Sequence, residues 1–184
     1  AVFTKADGPT SPYALWVLEL VGEGALLVGD LESAERDLRR AVAGHEERPS
    51  PDLRDFAAAL GVLGECLAEK GRTAEARKLY ERSLLLLEKT LDREDPQIAE
   101  ALASFGEFLR RQGALAESDS AISRALEIAE KGVGERHYAF ARVLFALADV
   151  RFEEGKVQSA RDLYRRAIGV LEKALEGAGG DARA

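Results

Sequence analysis

The chain of 184 residues contains no asparagine, no methionine and one cysteine, Cys66. A lone cysteine excludes an internal disulfide and a zinc site built on cysteine ligands. Histidine is nearly as scarce: His45 and His137 are far apart, and neither has a second histidine at metal-ligand spacing. No apolar run approaches the ~20 residues that a membrane span needs, and the start lacks the charged-then-apolar pattern of a secretory leader. The expected location is therefore cytoplasmic, with no membrane partner. Positive charge is in deficit, with 26 Lys+Arg against 33 Asp+Glu. That balance argues against duplex nucleic acid, whose binding needs basic patches that displace counterions. What remains is globular: 46% hydrophobic residues are too many for a disordered chain. The length fits one domain or one array of small units.

The dominant signal is a repeat. Glycines at 29, 71, 113 and 155 are each 42 residues apart and open the segments Gly29-Asp-Leu-Glu-Ser-Ala34, Gly71-Arg-Thr-Ala-Glu-Ala76, Gly113-Ala-Leu-Ala-Glu-Ser118 and Gly155-Lys-Val-Gln-Ser-Ala160. Eleven residues before them stand Leu18, Leu60, Leu102 and Leu144; seven before stand the tiny Gly22, Gly64, Gly106 and Ala148. Nine after stand Leu38, Tyr80, Ile122 and Tyr164; twelve after stand Ala41, Ser83, Ala125 and Ala167. Within each flank the apolar positions recur three and four apart, so each unit reads as helix, tight turn, helix. The tiny residue lets the two helices approach, and the glycine supplies the permissive backbone that ends the first. Ser11-Pro12 and Asp95-Pro96 read as helix caps followed by proline at the first helical position, with Asp52 and Thr73 as further caps. The predicted helices are 12–28, 31–47, 53–70, 73–91, 96–112, 115–131, 138–154 and 157–176, with polar, mobile ends at 1–11 and 177–184.

These residues resemble the tetratricopeptide repeat (TPR): Leu-Gly in the first helix, glycine at the turn, and alanine, aromatic, alanine down the second. The usual period is 34 residues. The longer step here is similar to the kinesin-light-chain type. Asp95-Pro96 and His137-Tyr138 stand where that type has its inter-repeat His-Pro loop, each in half-agreement. Glu46, Glu88, Glu130 and Glu172 replace the proline that ends the second helix in the short form, which implies longer second helices. The resemblance implies an all-α fold, a right-handed α-solenoid (superhelix) of four TPR helix-turn-helix units. Its expected divisions are a leader at 1–12, repeats at 13–54, 55–96, 97–138 and 139–180, and a tail at 181–184.

No single helix pair can bury both its faces, so neighbours must stack. The run Leu84-Leu85-Leu86-Leu87 is expected to be sandwiched between units. The last helix still carries Ile168, Val170, Leu171 and Leu175, which points either to a piece of a longer chain or to pairing with a second copy; Val2 and Phe3 could cover the other end.

In stacked helix pairs the first helices line the inner surface. Family geometry then places Glu23, Glu65, Glu107 and Asp149 inward, one carboxylate per repeat. It also turns Trp16, Glu19, Glu69, Arg110, Arg111, Arg142, Phe145 and Phe152 to that face. The expected use is partner binding: a groove for a protein or peptide segment that is basic or amphipathic, with Trp16, Phe145 and Phe152 as anchors. The same acids would equally serve to keep an inner surface solvated, since charges ~10 Å apart are largely screened. The Lys/Arg/Asn clamp of chaperone-tail binders and the asparagine ladder of kinesin light chains are both missing.

No residue set could carry a reaction. His45 and His137 read as loop or cap residues, Cys66 as a small packed residue, and Glu65 with Glu69 as an acid pair lacking any nucleophile. Gly22-Glu-Gly24 lacks the Lys-Ser/Thr ending of a phosphate loop. The expectation is a non-enzyme without cofactor or metal, a protein-interaction module of a larger bacterial signalling or regulatory protein. The alternative is a self-association or spacer module, using its exposed terminal helices, of a multidomain kinase, NTPase or protease.

Overall fold

The computed structural model describes residues 8–132 and 138–180. Val2, Phe3 and His137 lie outside them. The described residues form helices and no strand, in two compact units. The first holds α1 (Pro12–Leu27), α2 (Leu31–Glu47), α3 (Leu53–Glu69) and α4 (Thr73–Thr90). The second holds α5 (Pro96–Arg111), α6 (Leu115–Gly132), α7 (Tyr138–Glu153) and α8 (Val157–Gly180). In each unit, consecutive helices pack on one another and the two first-of-pair helices, α1 with α3 or α5 with α7, also touch. This is the all-α helical-repeat architecture of the solenoid class.

Local chemistry explains the boundaries. Ser11 Oγ accepts from the Ala14 amide at 3.2 Å, Asp52 Oδ1 from Arg54 at 2.9 Å, and Asp95 Oδ1 from Gln97 at 2.9 Å, so each satisfies an amide that the helix start leaves unpaired. Thr73 is no cap: it lies inside α4, and its hydroxyl reaches the Gly71 carbonyl at 3.4 Å. At the four turns Gly29, Gly71, Gly113 and Gly155 have φ of 79°, 74°, 74° and 78°. The next residue's amide then bonds a carbonyl five positions back, as from Arg72 to Leu67 at 2.8 Å and from Lys156 to Arg151 at 2.8 Å. That is a Schellman closure, repeated four times because only glycine takes this backbone without strain.

The tiny position sets how closely a pair packs. A Cβ at Gly22 would lie 2.6 Å from Leu38 Cγ, and one at Gly106 would lie 2.3 Å from Ile122 Cγ1. Around these crossings Leu15, Leu38, Leu60 and Leu67 in the first unit, and Ile98, Ile122, Phe140 and Leu144 in the second, are fully buried. Each such side chain contributes roughly 1.5–3 kcal/mol.

Two expectations are corrected. The last helix runs to Gly180 instead of stopping at 176. In the leucine run only Leu87 is buried, while Leu85 is half exposed. A helix advances 100° per residue, so four consecutive side chains cannot all face the core.

Candidate functional site

On α1, Trp16, Leu20, Glu23 and Leu27 are spaced four, three and four apart and so share one side of the helix. All four are exposed, Trp16 by 54%, and the Tyr13 ring lies tilted beside the indole, 5.9 Å between centroids. On α3, Glu65 and Glu69 are exposed at the positions matching Glu23 and Leu27. Partial burial first, and then the charges of Glu19 and Glu65, push the Glu23 carboxyl above the usual carboxylate range. The first unit therefore presents carboxylates that repel one another beside exposed aromatic and aliphatic groups.

Glu19 is placed differently. Its Oε1 lies 2.8 Å from His45 Nε2, and the histidine is buried between α1 and the next pair, stacked on Phe56 at 5.4 Å with 15° between the rings. His45 Nδ1 has no partner among the described residues. The reading of His45 as a loop or cap residue is thus corrected: it is a core residue of α2, polar only toward Glu19.

In the second unit the acids are already engaged. Arg110 grips both oxygens of Glu107, Nη2 to Oε1 at 2.7 Å and Nε to Oε2 at 2.8 Å, and Arg111 Nε adds a contact at 3.1 Å. Arg110 also reaches Glu153. The Arg110 guanidinium, seconded by Arg111, holds the Glu107 carboxyl below its usual range, and Glu107 in turn raises Arg110. Asp149 accepts a hydrogen bond from the Tyr164 hydroxyl, which pushes that phenol up to about 12. Phe145 is half-buried, tilted against Tyr164 at 6.0 Å, whereas Arg142 and Phe152 are exposed.

One cluster was not anticipated from the sequence. Glu35 of α2 meets Lys70 at 2.7 Å, Arg39 at 2.7 Å and Arg72, spanning from α2 to α3 and its turn. The Lys70 hydrogen bond foremost, with Arg39 and Arg72, holds the Glu35 carboxyl at about 2 despite its burial. None of these side chains falls on a repeating inner position, so only their later proximity reveals them. Cys66 is buried with its Sγ 3.6 Å from the Leu31 carbonyl, and burial foremost, aided by Glu35, pushes its thiol up. A thiol so placed stays protonated. Among the described residues no three His, Cys, Asp or Glu side chains are grouped to hold a metal ion, and no helix is long and apolar enough to cross a membrane.

Two family models, both described as tetratricopeptide repeat, match the sequence: one over residues 55–117 and 102–173, the other over 22–85. No curated protein matches it. Among solved structures, BtubC (BKLC) from P. vanneervenii superposes with a TM-score of 0.78 at 18% identity, covering 87% of this chain and 63% of that one. A Podosopora anserina protein described as a kinesin light chain with nearly identical TPR-like repeats gives 0.75 at 18%, covering 94% and 81%. The apo form of RapI gives 0.75 at 15%, covering 88% and 57%. The chain thus spans under two thirds of BtubC and of RapI, and at these identities the likeness is one of fold.

Proposed function

Because the chain belongs to the tetratricopeptide-repeat family, we propose that it is a protein-interaction scaffold whose first unit receives a basic or amphipathic partner segment on the exposed side of α1 and α3. The observation that carries this reading is the juxtaposition of the exposed Trp16, Leu20 and Glu23 on one side of α1, where burial and the neighbours Glu19 and Glu65 make the Glu23 carboxylate harder to ionise. A lysine or arginine brought there would relieve that repulsion, and an apolar side chain would cover the indole. The second unit offers less, since Glu107 and Asp149 already have Arg110, Arg111 and Tyr164. In this reading the array is the recognition module of a larger signalling or regulatory protein and catalyses nothing itself.

Trp16 is the sole tryptophan, so its emission reports on this face alone. Titration with a lysine- and leucine-rich amphipathic peptide should shift that emission, and the affinity should fall as NaCl rises from about 0.05 to about 0.5 M. Glu23→Lys combined with Glu65→Lys should weaken binding about tenfold or more, whereas Glu107→Gln should leave it unchanged. An unmoved Trp16 signal, or equal affinity in the charge-reversed variant, defeats the reading.

A further inference from the structure

Arginines stand at 40, 82, 124 and 166, and glutamates at 46, 88, 130 and 172, each series on the 42-residue step. In the first unit Arg82 Nη1 lies 2.6 Å from Glu46 Oε1, and its guanidinium carbon sits 4.9 Å from the centre of the Phe56 ring. The second unit repeats the arrangement with Arg166 Nη2 2.6 Å from Glu130 Oε1 and its guanidinium carbon 5.0 Å from the centre of the Phe140 ring. In both, the second helix of one pair is tied to the second helix of the next. Arg40 and Glu172 are the outermost members of the two series. Arg40 is exposed, and among the described residues its ion-pair partner is Asp37 of its own helix, at 3.4 Å. Glu172 is exposed and has no ion-pair partner among the described residues.

The apolar faces beside these two charges show the same incompleteness. Within the first unit α3 and its C-terminal cap meet α2 through Cys66 and Lys70: Cys66 donates to the Leu31 carbonyl, and Lys70 Nζ is 2.7 Å from both Glu32 and Glu35, while Leu63, one turn earlier on the same side of α3, is 2% exposed. On α1 the matching residues are Val21, Gly24 and Val28, all exposed, Val21 by 51%. On α2, along the helix side that carries Leu31 and Glu35, Val42 is 8% exposed, whereas Ile168, its match on α8, is 50% exposed, and Val157, which matches Leu31, is exposed as well.

We propose that these two faces recognise each other between copies of the chain. The Val157–Ile168–Glu172 face of α8 in one molecule docks on the Val21–Gly24–Val28 face of α1 in the next, in the register in which α2 meets α3, and Glu172 reaches the neighbour's Arg40 as Glu46 reaches Arg82. The substitutions fit each other. Arg161 stands where Glu35 does on the 42-residue step taken three times, so a lysine at position 28 would meet like charge, and Val28 is there instead. Gly24, with nothing within 4 Å of where its Cβ would be, leaves room for Val157. Apolar contact drives the association, and the exposed ion pair adds little affinity but selects the register. Donor and acceptor faces differ, so the contact is heterologous, head-to-tail, and each molecule offers one face of each kind. It uses a side of α1 other than that bearing Trp16 and Glu23, and it stands or falls apart from the peptide reading.

Sedimentation velocity on the full chain tests it. The parent should gain mass with concentration. Val21→Glu and Ile168→Glu, both at half-exposed positions, should each be monomeric with unchanged helical circular dichroism. Mixed together they should form a pair that stops at two, because one intact face of each kind remains. Glu172→Arg alone should weaken association about tenfold, from losing one exposed pair and gaining a repulsion of similar size, and adding Arg40→Glu in the same chain should restore it. A parent that stays monomeric at every concentration overturns the proposal, as does an Ile168→Glu variant that still dimerises through α1 alone, or a double charge swap that fails to recover.

Discussion

The two units use the same helix pairs and treat their carboxylates in opposite ways. In the first, Glu23 lies near Glu19 and Glu65, and its proton affinity rises. In the second, Glu107 at the matching position is clamped by Arg110 and Arg111, and its proton affinity falls. The backbone is shared, so the difference comes from the residues three and four positions downstream. Leu26 and Leu27 in the first repeat stand where the third has Arg110 and Arg111, and Ala68 and Glu69 stand there in the second. A repeated fold therefore fixes where a side chain stands, while its neighbours decide whether it is available to a partner.

The comparison can be broken most forcefully at the helix crossings. Gly64→Arg forces bulk against Tyr80 and the Ala76 carbonyl, 3.3 and 3.4 Å from where a Cβ would lie, and should cost about 3 kcal/mol or more in urea unfolding. A thermal midpoint equal to the parent's would refute the assignment of that helix pair. Alanine should separate the tight crossings from the loose one: Gly106→Ala meets Ile122 at 2.3 Å and should cost about 1–3 kcal/mol, as should Gly22→Ala against Leu38 at 2.6 Å, whereas Gly64→Ala, where the nearest atom is 3.3 Å away, should cost under about 1 kcal/mol. Hydrogen exchange should show the Gly106→Ala loss confined to α5 and α6.

Next in size is Glu35. Its carboxyl is depressed to about 2 from an ordinary 4.5, so the folded state binds a proton less readily than the unfolded one. The stabilisation is full above about pH 4.5 and is lost as pH falls toward about 2. Glu35→Gln should cost roughly 1–2 kcal/mol at neutral pH, allowing for screening by solvent, and the gap to the parent should close on acidification through that window. A constant gap would mean that packing, and not charge, is what Glu35 supplies.

The smallest effect has the opposite sign. Glu23 has a raised carboxyl, so ionisation opposes folding once the pH climbs above its ordinary value of 4.5. Glu23→Gln should stabilise by about a few tenths of a kcal/mol at neutral pH, since the group is exposed and screened, and the gain should vanish in acid. Loss of stability on this substitution would place a cation at Glu23 and remove the contrast between the units.

Much of the architecture is legible before any coordinates. The turn glycines announce their positive φ by their spacing, and Ser11, Asp52 and Asp95 announce helix starts because a short acceptor beside proline or a polar turn has few other local uses. The candidate site is less legible. Glu19, Glu23, Glu107 and Asp149 look equivalent as inner acids, yet one meets His45, one meets other acids, one meets two arginines and one meets a tyrosine. His45 illustrates why: its spacing from Leu38, Ala41 and Val42 puts it on the buried side of α2, but its partners Glu19 and Phe56 are contributed by the helices before and after its own.

By itself, then, the sequence determined the helix count per repeat, the turns and the 42-residue step, because these depend on backbone preferences and on side chains a few positions apart. Only the tertiary structure decided which carboxylates are spent on internal cations, and that Val21 and Ile168 stay uncovered while Leu63 and Val42 are buried. Those outcomes rest on groups tens of residues apart meeting at a few ångströms, where desolvation and charge act steeply with distance and no local pattern records them.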